Sequence, residues 1–349
     1  MNRGGDGSSD GVAPEPPRAR WRFLIVLISL AAVVALAVGL AWRAPNSPFR
    51  SRPWPPEGWV LAACDVGQGD GLVLAGNPGT AIVVDTGPDP GKMDDCLTGL
   101  GVRHISLILL THFHADHIDG VPGVLHGRVV DEIETTTVAD PPEGAAKVRA
   151  WAQAAGVRTS QATAGEKRSY GPVSWDVLWP DPALASSVPP APGAAKGSGK
   201  AKAKRKGNSR TSHSSRTPSH GGDEGSGPNN ASVVLHIRSA TRDGPVTMLL
   251  TGDIEPPAQQ ALLAAHPDLA SDIFKVPHHG STYQDPDLVA AVRPRASIIS
   301  VGAGNTYGHP AARTLTLAAS TGARVFRTDR DGTVVVVGPA SRLEVVLRK

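Results

Sequence analysis

Four side chains that bind divalent metals well fall within six positions: His112, His114, Asp116 and His117. Imidazole nitrogens and carboxylate oxygens are the usual protein donors to zinc and manganese. A His-x-His-x-Asp-His spacing is far more specific than histidines scattered on a polar loop. The preceding run, Leu107 to Leu110, is continuously apolar and reads as a fully buried strand, so the cluster begins where a strand ends. Open α/β sheets hold their ligands beyond the carboxyl ends of strands.

Three later stretches repeat the pattern of an apolar strand running into polar donors. Val246 to Leu250 leads to Thr251-Gly252-Asp253, Ile273 to Val276 to Pro277-His278-His279-Gly280-Ser281, and Ala296 to Val301 to a loop ending in His309-Pro310. Together they supply two ions: His112 and His114 for one, Asp116, His117 and one of His278 or His279 for the other, with Asp253 bridging. His279 is the preferred ligand of its pair and His278 an outer or substrate-facing group, although the residues alone leave the order open. Two ions about 3.5–4 Å apart hold a shared hydroxide and stabilise attacking and leaving oxygens, so the expected chemistry is hydrolysis. Asp116, His309 and Ser281 are the catalytic candidates, the last two as donors to substrate oxygens or the leaving group. A helix entry set by Pro310 would explain His309 equally simply. Asp65 and Asp85 also end apolar strands; each suits a turn cap as well as chemistry, and Asp65 is carried as a substrate contact.

Strands alternating with helices must position these groups. Strands are expected at 59–65, 71–74, 81–85, 107–110, 129–133, 173–179, 229–237, 246–250, 273–276 and 296–301, with three more near the C-terminus. Helices are expected at 92–100, 118–125, 143–155, 255–265 and 311–321.

Residues 1–22 read as a disordered tail. Phe23 to Trp42 is an uncharged apolar run of twenty residues, which as a helix rising ~1.5 Å per residue spans the hydrocarbon of a bilayer. It is longer than a signal-peptide core and lacks a small-residue cleavage site, so it reads as a single-pass anchor. Arg18, Arg20 and Arg22 before it favour a cytoplasmic N-terminus and an extracytoplasmic domain. Residues 43–57, with five prolines, form a linker, and the folded domain runs from 58 to 349. The two cysteines, Cys64 and Cys96, either pair in an oxidising compartment or act as small buried hydrophobes.

Within the domain, residues 182–228 are a disordered insertion, and Lys196 to Arg216 carries eight basic residues and no acid. Without those eight the formal charge moves from +3 to −5, so the globular part is mildly acidic. Lys204, Arg205 and Lys206 are candidate contacts to phosphate backbones, and the segment's lack of aromatics argues against base stacking there. A solvated insertion with no binding role is the plain alternative.

The stretches Cys64-Asp-Val-Gly-Gln-Gly-Asp70, Val84-Asp-Thr-Gly87, Thr111 to Gly120, Leu249-Leu-Thr-Gly-Asp-Ile-Glu255, Lys275 to Ser281 and Tyr307-Gly-His-Pro310 occur in this order. They resemble the metallo-β-lactamase domain of ComEC-type competence proteins, over residues 58–349. The resemblance implies an αββα sandwich of two mixed sheets with metal at one sheet edge. It also implies a hydrolase that processes DNA at the cell surface. Full-length proteins of that type carry a multi-helix channel, whereas one span is read here. The wider superfamily has a third histidine where this chain has Asn229-Asn230, which also become candidate substrate contacts. That loss favours manganese, or one vacant position, over tightly held zinc. Other hydrolases on the same scaffold, acting on envelope phosphodiesters or small esters, remain open, as does a non-catalytic metal-binding protein.

Overall fold

In a computed structural model, described here over residues 26–36, 53–181 and 226–349, the strand that leads into the histidine cluster is β4 (His104–Leu110). It is buried on both faces because alternate side chains enter two different cores. Leu107 and Leu109 face a second sheet, whereas Ile105, Ile108 and Leu110 pack beneath helices.

The first sheet also contains β1 (Trp59–Ala63), β2 (Gly71–Ala75), β3 (Thr80–Thr86), β5 (Val129–Val130), β6 (Glu132–Thr135) and β7 (Arg158–Gln161). The second holds β8 (Lys167–Tyr170), β9 (Val173–Trp179), β10 (Val234–Thr241), β11 (Gly244–Leu250), β12 (Ile273–Lys275), β13 (Ala296–Ile299) and β14 (Arg324–Arg327). The last two strands, β15 (Thr333–Val337) and β16 (Glu344–Arg348), return to the first sheet, which runs β16-β15-β1-β2-β3-β4-β6-β7 with β5 beside β4. The second runs β14-β13-β12-β11-β10-β9-β8. Both are mixed: β3, β4, β6 and β7 are mutually parallel, with β5 parallel to β4, as are β11 to β14, and the remaining pairs are antiparallel.

The central core, with Leu72, Leu107, Val177, Leu235, Met248 and Ile298, lies between the sheets. Helices Pro90–Gly99 and Pro142–Ala155 cover the outer face of the first, and Pro256–Ala265, Pro286–Val292 and Ala312–Ala319 that of the second. This is the expected αββα sandwich of two mixed sheets. Differences are local. Residues 129–133 divide into β5 and β6, and β7, β8 and the helix at 286–292 were not read from the sequence. Asn229 and Asn230 close a short helix, Ser226–Asn230, and the strand begins only at Val234.

Contacts divide the chain into Met1–Pro53 and Trp54–Lys349. In the first unit residues 26–36 are helical. The rest of the expected span 23–42, the tail 1–22, most of the linker and residues 182–225 of the insertion lie outside the described residues. Among the described residues no helix is long and apolar enough to cross a membrane. Strands β9 and β10 are antiparallel neighbours, with Trp179 opposite Val234, so residues 182–225 leave and rejoin the domain at one place.

Cys64 and Cys96 form a disulfide from the end of β1 to the helix over β3 and β4, closing a separation of 32 residues. Removing it with Cys64→Ser/Cys96→Ser should destabilise the protein by about 2–4 kcal/mol through loop-closure entropy. A urea unfolding curve checks this; an unchanged midpoint would mean the cross-link contributes nothing.

Candidate metal centre

The centre is built outward from Asp85, at the end of β3. Its backbone lies in the left-handed region at φ 56, unusual for a side chain bearing a Cβ. From there the carboxylate accepts the Thr111 backbone N–H and hydroxyl, each at 2.7 Å, and faces His117 Nδ1 at 2.8 Å. The strand end of β4 and the turn carrying His117 are thus fixed by one buried carboxylate. The glycine loop after β1 serves the same turn. Gly69 has φ +135, and a Cβ there would stand 2.0 Å from the Asp116 carbonyl oxygen, so only glycine admits that approach.

Hydrogen bonding decides which ring nitrogens face inward. His117 Nδ1 is committed to Asp85, and His279 Nδ1 donates to the Ser300 carbonyl at 2.9 Å. The Thr111 hydroxyl gives its proton to Asp85, so it accepts from His112 Nδ1 at 3.1 Å. All three rings therefore offer Nε2 to the site, the orientation that outer hydrogen bonds impose on metal-binding histidines. His279 is aimed by a strained backbone, φ 51 and ψ 25.

The Nε2 atoms meet carboxylates. Asp253 Oδ2 lies 3.2 Å from His117 Nε2 and 3.1 Å from His279 Nε2, and Asp116 Oδ2 lies 3.1 Å from His279 Nε2 and 3.8 Å from His117 Nε2. Beside them His112 Nε2 and His114 Nδ1 approach to 3.0 Å. His279 Nε2 is buried with no hydrogen-bond partner, facing two carboxylate oxygens. A buried nitrogen left so is the mark of a cation site, and the donor set fits a divalent metal. Burial alone would keep His117 and His279 neutral, but Asp253 and the other carboxylates around them raise both pKa values well above the imidazole range. An entering ion must displace those protons.

Two residues here were not singled out by sequence reasoning. Asp70 and Lys275 are both 1% exposed and form an ion pair, and Lys275 Nζ also reaches Asp253 Oδ1 at 3.2 Å and donates to the Gly252 carbonyl at 2.8 Å. Asp70, His117, Asp253 and His279 form a buried group compact enough for one ion. By orientation Asp116 is the better fourth donor: Asp70 lies toward the Nδ1 edges, 3.4 Å from His279 and 3.9 Å from His117, which already have other partners. Asp70 read as part of a glycine turn and Lys275 as an ordinary strand residue; a charge inside an apolar strand was the available signal for Lys275.

The remaining expected site residues fall into three groups. His278 and His309 flank the donors, their rings 5.5 Å apart, and His278 Nδ1 lies 3.6 Å from Glu255. His309 is half-buried, and burial with the neighbouring His278 lowers its pKa to about 4. Ser281 is buried, and its hydroxyl accepts the Tyr283 N–H within its own loop at 3.3 Å. Asn229 donates to the Glu255 carboxylate at 3.2 Å and Asn230 accepts the Glu255 N–H at 2.9 Å, so both brace the segment after Asp253. Asp65 is not brought to the donors: its N–H donates to Thr333, and its carboxylate shares a cavity of about 360 Å³ with Lys92 and Arg348. Lys204, Arg205 and Lys206 lie outside the described residues. A larger cavity of about 480 Å³, lined by Trp59, Arg242 and Pro339, contains none of the donors.

The pattern of the Metallo-beta-lactamase superfamily matches residues 64–302, and the chain belongs to that superfamily. Among curated proteins it is similar to ComE operon protein 3 of Bacillus subtilis (strain 168), 25% identical over 292 residues that cover 77% of this chain and 32% of that protein. It is also similar to the uncharacterized protein YcaI of Escherichia coli (strain K12), 27% identical over 272 residues, covering 75% and 28%. The motif-level resemblance to ComEC-type proteins is thus borne out, while the chain spans about a third of the length of these relatives. Among solved structures, Zn(2+)-bound PqqB from Methylobacterium extorquens shares 12% identity with a TM-score of 0.44, over 78% of this chain and 99% of that one.

Replacing Lys275 by methionine would leave Asp70 buried without its counter-charge. Breaking such a pair from one side costs about 3–5 kcal/mol, so K275M should be less stable by that order when metal-free. An added divalent ion restores positive charge, so its stabilising effect should be larger in K275M than in the wild type. Thermal unfolding with and without manganese or zinc tests both; equal metal-free stability would refute the assignment.

Proposed function

We propose that this protein is a metal-dependent phosphodiesterase that cleaves DNA at the outer face of the cytoplasmic membrane, to which residues 23–42 anchor it. The observation that carries the reading is the convergence of His117 and His279 Nε2 on Asp116 and Asp253 Oδ2, with contacts from 3.1 to 3.8 Å. Asp116, His117, Asp253 and His279 would hold one divalent ion, and His112 with His114 a second. Two nitrogens and two oxygens suit manganese as well as zinc. When bound, the metal supplies Lewis acidity and lowers the pKa of water.

The chain's own residues then have separable tasks. Lys275 occupies Asp253 Oδ1, which leaves Oδ2 alone to face the imidazoles. Asp85 and the Ser300 carbonyl keep His117 and His279 oriented with Nε2 inward. His309, neutral at physiological pH, has one N–H with which to orient a substrate or leaving-group oxygen, and its Nδ1 is buried without a hydrogen-bond partner. Ser281 holds the loop on which His278 and His279 stand.

Two further features favour a nucleic-acid substrate outside the cytoplasm. The segment containing Lys196 to Arg216 leaves after Asp181 and returns at Ser226, and Ser232, just beyond, contacts His112 Nδ1 at 3.2 Å. A basic stretch tethered there would draw phosphate backbones toward the donors. The disulfide suits an oxidising compartment. The resemblance to ComEC-type competence proteins, which the similarity to ComE operon protein 3 supports, is consistent with DNA as substrate.

The test is cleavage of single- and double-stranded DNA by the full chain, stripped of metal and resupplied with manganese or zinc. Asp116→Ala/Asp253→Ala should lower activity by at least ~10²-fold, in line with loss of metal and of its charge stabilisation. Deleting residues 196–216 should weaken cleavage most at low salt. A protein that binds the metals yet cleaves no DNA would transfer the proposal to envelope phosphodiesters or small esters.

A further inference from the structure

Aromatic side chains are scarce in this protein, 4% of residues, and nearly all of those described are at least partly buried. Among the described Phe, Tyr and Trp residues, the two standing well into solvent are Tyr283 at 55% and Tyr307 at 52% exposed. Both lie on loops that carry site histidines: Tyr283 four residues after His279, and Tyr307 two before His309. The second is joined to the centre by a continuous file of rings. Tyr307 stacks on His309 with centroids 5.9 Å apart and planes inclined by 27°. His309 meets His278 at 5.5 Å, His278 meets His279 at 6.1 Å, and His279 meets His117 at 5.2 Å.

A core explains none of this exposure, since a tyrosine that buried its ring would contribute to stability instead. An exposed, nearly parallel Tyr-His stack at the mouth of a phosphodiester-cleaving site is suited to a flat, apolar, uncharged partner. The His309 ring, held neutral, adds no charge that would attract a second phosphate instead. We infer that the Tyr307–His309 stack is a subsite for an unpaired nucleobase of a single strand whose backbone runs past the metal centre. The inference rests on the phosphodiesterase reading above and names its substrate more narrowly. Bases in a duplex already stack on neighbours at both faces, so a protein ring gains a base only from an unpaired strand.

The probe is a single-stranded oligodeoxynucleotide with phosphorothioate linkages to slow cleavage, carrying 2-aminopurine at successive positions. It is titrated into the full chain with manganese present. One position should be quenched on binding by the wild type and by Tyr307→Phe, and not by Tyr307→Ala. Tyr307→Ala should bind roughly 5- to 150-fold more weakly, the range for losing one base stack. An abasic residue at the quenched position should weaken the wild type by a similar factor and leave Tyr307→Ala unaffected. Tyr307 is exposed, so the variant should retain wild-type metal binding, which serves as the check on folding. Wild-type affinity in Tyr307→Ala, equal quenching in a duplex, or an abasic strand bound as tightly as an intact one would each overturn the inference while leaving the nuclease reading standing. A wild-type chain that binds no DNA of either kind would remove both.

Discussion

The centre depends on buried negative charge, balanced by the Lys275 ammonium and, without a metal, by the protonated His117 and His279. Asp70, Asp85 and Asp253 are almost free of solvent, and the Asp116 side chain is one-fifth exposed. Such a gathering of carboxylates is costly unless each is paired or hydrogen-bonded. Lys275 answers Asp70 and Asp253, Thr111 and His117 answer Asp85, and the remaining charge is left for a cation. These groups come from the β1–β2 loop, from β3, from the turn after β4, from the end of β11 and from β12. Electrostatics therefore holds the two sheets together at this edge as apolar packing does along their length.

The same balance accounts for the strained backbone. Asp85, His278 and His279 all have positive φ, a conformation costing roughly 1–2 kcal/mol for a residue with a Cβ. It persists here because each is held by contacts from other elements. Asp85 has Thr111 and His117, and His279 has the Ser300 carbonyl.

Much of this arrangement is legible in the sequence because apolar strands running into polar donors are a strong local pattern. The four strand ends follow from it; the αββα class came instead from the resemblance of the motifs to a known family, and the pattern alone left open which of His278 and His279 faces inward. What was missed has at most a weak local signature. Lys275 sits in a strand of three residues, where one charge reads as solvent-facing unless its partners, Asp70 and Asp253, are known to be adjacent. Arg158–Gln161 and Lys167–Tyr170 are polar edge strands without alternation, so periodicity cannot find them. Asp65 and Asp85 looked alike as acids ending strands. Only tertiary pairing sends one to His117 and the other to Thr333. Asn229 and Asn230 looked like the start of a strand because Val233 to Leu235 and Ile237 follow them, yet their side chains bond Glu255 and end a helical turn.

The order in which the first sheet is completed bears on how the protein is made. β1 lies between β2, its immediate successor, and β15, and Asp65 beside it bonds Thr333 across a separation of 268 residues. During synthesis the first strand waits with one edge unpaired until the final strands emerge. Contacts so distant in sequence form slowly, because a long loop must close first. The closing strand pair thus acts as a timer: the sheet around β1 is completed only once β15 and β16 have been made.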